Sequence, residues 1–218
     1  MTGSTLTRHE DDGLRTAVLS VVGALQAQQK QGVPSATARL ARLRRALMAA
    51  PGSDPDVWAD TIGALPPAQQ GQGDAPSRHE QAAHASVCLY ALHQQSQAVG
   101  MHRSGEGLGR AVQRLRRARP EDEESGPVLR RFRALATAGS FAETTHHLRG
   151  LVTLLRSEAL ALDYGQLAVD LRRLQSEPGA RAVRLAWGRD LYRARRADPD
   201  TTADSPADPE TLDPGATP

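Results

Sequence analysis

The sequence predicts an all-α protein: a helical bundle of about nine helices in two packed groups, followed by an acidic tail. Three observations predict it. Apolar residues recur at helical spacing through every ordered stretch. No run alternates apolar and polar residues with β-branched enrichment. Ser and Asp caps, with Gly and Pro stops, punctuate the chain at intervals suited to helices.

A first helix carries Leu14, Val18, Val21, Val22 and Leu25 on one stripe, with Gly32 as its stop. Ser35, after Pro34, reads as the N-cap of a second helix bearing Leu40, Leu43 and Leu47, ended by Pro51-Gly52. Asp54-Pro55 opens a short third helix with Trp58, Ile62 and Leu65 expected inward, and Pro66-Pro67 stops it. After a Gln/Gly/Pro loop, Ser77 and Glu80 form a capping box for a long fourth helix using Ala83, Val87, Tyr90 and Ala91. A Gly-rich turn leads to a fifth helix with Leu108, Val112 and Leu115 inward. An acidic connector, 120–126, follows.

Beyond it, Pro127 begins a sixth helix with Val128, Leu129, Phe132 and Leu135, closed by Gly139. Ser140 and Glu143 predict a second capping box, ahead of Phe141, Leu148, Leu151, Val152 and Leu155. Asp163 caps an eighth helix bearing Tyr164, Leu167, Leu171 and Leu174. After Pro178-Gly179 comes a ninth with Val183, Trp187 and Leu191. Each helix has one apolar face, so the expected domains are an N-terminal bundle over 1–119, a C-terminal bundle over 127–197, and a disordered acidic tail over 198–218.

Charge is segregated. The chain has 27 Lys and Arg against 25 Asp and Glu, but six of the acids fall in 198–218, which holds no base. Residues 1–197 therefore carry 19 acids against 27 bases, and Glu121 to Glu124 sit together in the connector. Lys30 is the one lysine. A GC-rich genome raises Arg over Lys, but does not segregate charge. One cysteine, Cys88, excludes a disulfide framework and reads as a small buried side chain. With no signal-like N-terminus and no apolar run of about 20 residues, a cytoplasmic protein is expected.

Catalysis finds little support. His79 and His84 are five apart, off a common helical face, and His146 and His147 are adjacent, so no metal is expected and the histidines read as exposed helix positions. Gly105-Glu106-Gly107-Leu108-Gly109 lacks a preceding strand and a following Lys-Ser/Thr, so it reads as a flexible helix start, with amides that could take one phosphate. No nucleophile elbow is present, and no cofactor is expected.

The arginines carry more information. Arg39, Arg42 and Arg45 lie opposite Leu40, Leu43 and Leu47, and Arg110, Arg114 and Arg117 lie opposite Leu108, Val112 and Leu115. Arg130, Arg131 and Arg133 cluster, Arg149 and Arg156 share a face, and so do Arg189, Arg193 and Arg196. A solvated face normally mixes signs, and these contain almost no acids, which points to nucleic acid gripped by its phosphates. Aromatics, 3% of the chain, are too few for a stacking platform. A free-standing DNA-binding protein, with Gly139-Ser140 as its helix-turn-helix junction, or a scaffold meeting acidic protein surfaces, would also use such faces.

Ordered motifs then resemble a known family. Gly107-Leu108-Gly109-Arg110-Ala111 is similar to the Leu-Gly-Arg-Ala signature of the CasB small subunits of CRISPR type I-E Cascade. Arg44-Arg45 resembles that family's early Arg pair, and Val128-Leu129-Arg130-Arg131-Phe132 its arginine-bearing helix. His147-Leu148-Arg149-Gly150-Leu151-Val152 with Leu162-Asp163-Tyr164, and Trp187-Gly188-Arg189-Asp190-Leu191-Tyr192, resemble its later helices. The resemblance implies a non-catalytic helical subunit, present in two copies. It would contact other Cascade subunits and hold guide RNA and both strands of the target DNA in the R-loop. By motif, its basic residues fall on Arg44, Arg45, Arg110, Arg130, Arg131 and Arg149, with Arg42, Arg103 and Arg156 nearby. The acidic tail and the loop from Pro66 to Pro76 lie outside the pattern.

Overall fold

The computed structural model describes residues 3–119 and 126–193. The connector 120–125 and the tail 198–218, for which disorder is expected, lie outside the described residues. Within them the fold is all-α, with eight α-helices and three short 3-10 turns. The helices are α1 (Gly3–Lys30), α2 (Pro34–Ala46), α3 (Arg78–Gln94), α4 (Leu108–Ala118), α5 (Pro127–Thr137), α6 (Phe141–Ser157), α7 (Tyr164–Leu174) and α8 (Glu177–Tyr192). No described helix is long and apolar enough to cross a membrane.

α1 buries Leu14, Val18, Val22 and Leu25 as the stripe predicts. It ends in a Schellman motif: Gly32 adopts φ +68°, Gly32 N–H donates to Gln29 O and Val33 N–H to Gln28 O. α2 begins two residues earlier than predicted. Pro34 occupies the first turn, where its fixed φ suits a helix and its missing N–H costs nothing, and Val33 is the N-cap in place of Ser35. The third element differs more. Pro55–Asp60 is a 3-10 turn, so positions three apart share a face: Val57 and Asp60 are buried, and Trp58 points outward, 47% exposed.

The capping box at Ser77 and Glu80 is complete, with bonds of 3.1 and 2.6 Å. α3 does not present a single face, however. Ala82 to Ala91 are buried without a break, because α1, α2, α6 and α7 all pack on it. At the start of α6, Ser140 Oγ accepts from Glu143 N–H, but Glu143 returns its carboxylate to Gly139 N–H, one residue before the expected partner. α8 begins at Glu177, so Pro178-Gly179 lies in its first turn instead of breaking the chain ahead of it. One apolar cluster draws on all eight helices, with α7 against α1 and α3, and α8 against α4 and α7.

Two histidines expected on the surface are core residues. His84 places Nε2 3.0 Å from Ala46 O, and His93 places Nδ1 2.8 Å from Tyr164 Oη. Burial, reinforced by the charge of Arg156, pushes His93 down to about 4 from 6.5. Burial also lowers His79, His84 and His102. Asp170, buried between Gln166 Nε2 and Trp187 Nε1, is pushed up by burial to about 6. The two shifts act oppositely. A depressed histidine contributes stability that is complete above 6.5 and lost as pH falls toward 4; a raised carboxyl contributes stability present below 3.8 and lost as pH rises through 6. Four histidines outweigh one carboxyl, so the melting temperature falls between pH 7 and pH 5. Asp170→Asn removes the opposing group and makes that fall steeper. Thermal melts of both proteins across this range check it; a flat wild-type profile would refute the assignment.

Candidate nucleic-acid interface

Helix ends assemble the basic surface. The last turn of α2 carries Arg44, half-buried, and Arg45, exposed. Burial first, then the charges of Arg156 and Arg45, lower the Arg44 guanidinium from its ordinary value. Arg156, remote in sequence, therefore lies within electrostatic reach of Arg44. Arg156 reaches from the last turn of α6 to the end of α3, donating to Gln95 Oε1 at 2.9 Å and Leu92 O at 3.4 Å. Carbonyls at a helix C-terminus carry partial negative charge, which fixes this guanidinium in place.

Two turns earlier on α6, about 10 Å back along its axis, Arg149 is exposed. Arg131 of α5 places Nη1 3.5 Å from where a Cβ on Gly150 would stand, so it lies over the same helix beside Arg149. Arg131, Arg149 and Arg156 thus lie along α6, and the charge of Arg156 reaches Arg44, beside Arg45 at the end of α2; these five make the candidate strip. None of the five has an ion-pair partner among the described residues. Arg130 is exposed on α5, next to Arg131 in sequence. Arg42 is loosely paired with Asp56 at 3.8 Å.

Arg103 and Arg110 border a different feature. Arg110 donates to Gly105 O at 3.3 Å and lies 3.6 Å from Asp190, and Arg103 is exposed in the preceding loop. Together with Arg15, Asp163, Asp170 and Asp190, Arg110 lines a cleft of about 270 Å³. Here the phosphate expectation for the Gly-rich loop meets carboxylates already in position. Gly105 N–H donates to Asp163 Oδ2 at 2.9 Å, and Asp190 lies beside the start of α4. Gly109 serves packing, not flexibility: a Cβ there would meet Trp187 O at 2.5 Å, so α4 and α8 touch through it.

Other arginines are structural, which helix faces alone did not reveal. Arg39 binds buried Asp60 and Gln28 Oε1. Arg172 and Arg173 clasp buried Asp11 of α1, Arg119 binds Glu158, and Arg15 binds Asp163. Each of these acids stands on an element remote in sequence, and a helical wheel shows only its own helix. The one available signal was a lone acid at a helix boundary, as at Asp163. No group of three metal-capable side chains occurs among the described residues.

Fold and surface together define an all-helical protein with a strip of unneutralised arginine. The chain matches the family described as CRISPR-associated protein Cse2 over residues 39–192. Among solved structures it is similar to CasB from Thermobifida fusca, at 37% identity and a TM-score of 0.68, covering 83% of this chain and 98% of that one. A Cse2-family protein from Thermus thermophilus aligns at 26% identity and a TM-score of 0.59, covering 80% and 97%. CasB from M. ruber aligns at 26% and 0.52, covering 71% and 83%. No curated protein sequence matches significantly. The chain belongs to the Cse2 (CasB) family of CRISPR-associated proteins.

Proposed function

We propose that this protein is the non-catalytic small subunit of a type I-E Cascade, holding nucleic acid by its phosphates and so stabilising the R-loop. The strip of Arg44, Arg45, Arg131, Arg149 and Arg156, without acid partners among the described residues, carries the reading. Arg42, Arg103, Arg110 and Arg130 extend the contact surface in this proposal. R-loop formation is nearly balanced, because the RNA–DNA hybrid is about as stable as the duplex it replaces. A few phosphate contacts made only when the strands are parted are enough to shift that balance. The partners are guide RNA, both target strands, the other Cascade subunits and a second copy of the chain, in the cytoplasm.

Affinity purification of the tagged chain from a host carrying its CRISPR operon tests this. Guide RNA and other Cas proteins should co-purify in fixed ratio. A chain that elutes alone from cells making the other subunits would exclude the assembly.

A further inference from the structure

We propose that the acidic C-terminal segment, residues 198–218, docks on the arginine face of α4 and competes there with nucleic acid. The competition rests on the functional reading above; the docking rests on the geometry of this chain.

The chain leaves its last described helix already fastened to α4. Gln113 Nε2 donates to Leu191 O at 2.9 Å and to Arg193 O at 2.8 Å. Gln113 stands one helical turn from both Arg110 and Arg117. With Arg114, these line the outer side of α4, opposite buried Leu108, Val112 and Leu115. Arg117 is exposed and has no ion pair among the described residues. Arg110 and Arg114 hold acids only loosely, at 3.6 and 3.5 Å, and remain 46% and 40% exposed.

Residues 198–218, which follow Arg193, Arg195 and Arg196, have the complementary charge. Asp198, Asp200, Asp204, Asp208, Glu210 and Asp213 come without a base among them. The first is five residues beyond Arg193, at most ~18 Å of extended chain, about the length of α4 itself. The family match stops at residue 192, so this segment is an addition to the shared fold. Leu212 is its one large aliphatic residue, so ionic attraction is the force that can hold it. Tethering places the acids at an effective concentration in the millimolar range.

Charge density decides which ligand wins. Six acids over 21 residues amount to one charge per ~12 Å of extended chain, against one per ~1.7 Å of duplex DNA. The segment therefore screens α4 from weak, incidental polyanions and yields to a strand that other contacts hold in place.

Two measurements on the full chain test this. For the first, Ala207→Cys carries a nitroxide; Cys88 is buried with its thiol pushed up by burial and stays unlabelled. Backbone signals of α4 from Arg110 to Arg117 should broaden at low salt and recover at ~0.5 M, where the Debye length is only a few ångströms. Unbroadened α4 signals at low salt would overturn the docking. For the second, the six acids become Asn or Gln. That variant should bind an oligo-dT strand roughly 3- to 10-fold tighter than wild type at low salt, the gap closing as salt rises. Equal affinities would overturn the competition. If neither protein bound DNA while α4 still broadened, the docking would stand and the nucleic-acid reading would fall.

Discussion

Alanine at Arg44, Arg45 and Arg149 together is expected to weaken binding of the R-loop by the assembled complex about 100-fold at low salt. At about 1 kcal/mol for each phosphate contact, three contacts amount to about 3 kcal/mol, and about 1.4 kcal/mol is tenfold. The slope of log affinity against log salt should become shallower by about 2 to 3, at 0.7–0.9 per contact. The loss should be the same for unrelated target sequences, because phosphate carries no sequence information. Melting should not report this variant as damaged. Burial and two like charges already disfavour the charged form of Arg44, so its removal relieves repulsion. Arg39→Ala is the contrast: it strips buried Asp60 of its partner, so it should lower the melting temperature and leave the salt slope alone. An unchanged affinity and slope in the triple variant would rule out the arginine grip.

Asp163→Ala is expected to cost about 3–5 kcal/mol of stability, the range for breaking a buried charge pair. Asp163 is 1% exposed and joins three segments. Its Oδ1 accepts from Gln166 N–H, capping α7, while Oδ2 accepts from Gly105 N–H and from Arg15 of α1. Its own N–H donates to Glu106 O at 2.8 Å, so the loop before α4 is tied to the same residue twice. For a chain of this size about 2–4 °C accompanies each kcal/mol, so melting should drop by roughly 10 °C. Arg15→Ala leaves the cap and the Gly105 bond in place and should cost less than half as much. Thermal unfolding followed by circular dichroism separates the two. A loss of only 1–2 °C in Asp163→Ala would mean that the three bonds are replaced by water at little cost.

Local features of the fold were legible because they depend on neighbours in sequence. The stripe of Leu14, Val18, Val22 and Leu25, the box at Ser77 and Glu80, and the cap at Asp163 each lie within a few turns of one helix. Long-range features were not legible. Nothing in the composition of α3 announces four neighbours, since Ala, Ser and Cys are as ordinary on a helix surface as inside one. The period of an α-helix places Trp58 inward, and a 3-10 turn rotates every position after the first. The basic site was half legible for the same reason. Its arginines stood out as one-signed faces, but which faces met acids, as Arg39 meets Asp60, depends on tertiary contacts that no wheel displays. Equally, no pattern within α2 or α6 hinted that the charge of Arg156 reaches Arg44.

The crowded position of α3 also governs how this protein can drift. Small side chains such as Ala82, Ala83, Ala85, Ser86, Cys88 and Ala91 are what allow four helices to close around it. A larger residue has no open side to expand toward, so each change needs a simultaneous answer from a neighbour, and such paired changes accumulate slowly. Outer positions, such as Ala182 and Leu185 on α8, are under no such constraint. Divergence in this lineage should therefore run from the outside inward, with size conserved at the centre and sign conserved along one strip of the surface. A relative could exchange most of its exterior and still be recognised by the volumes along α3.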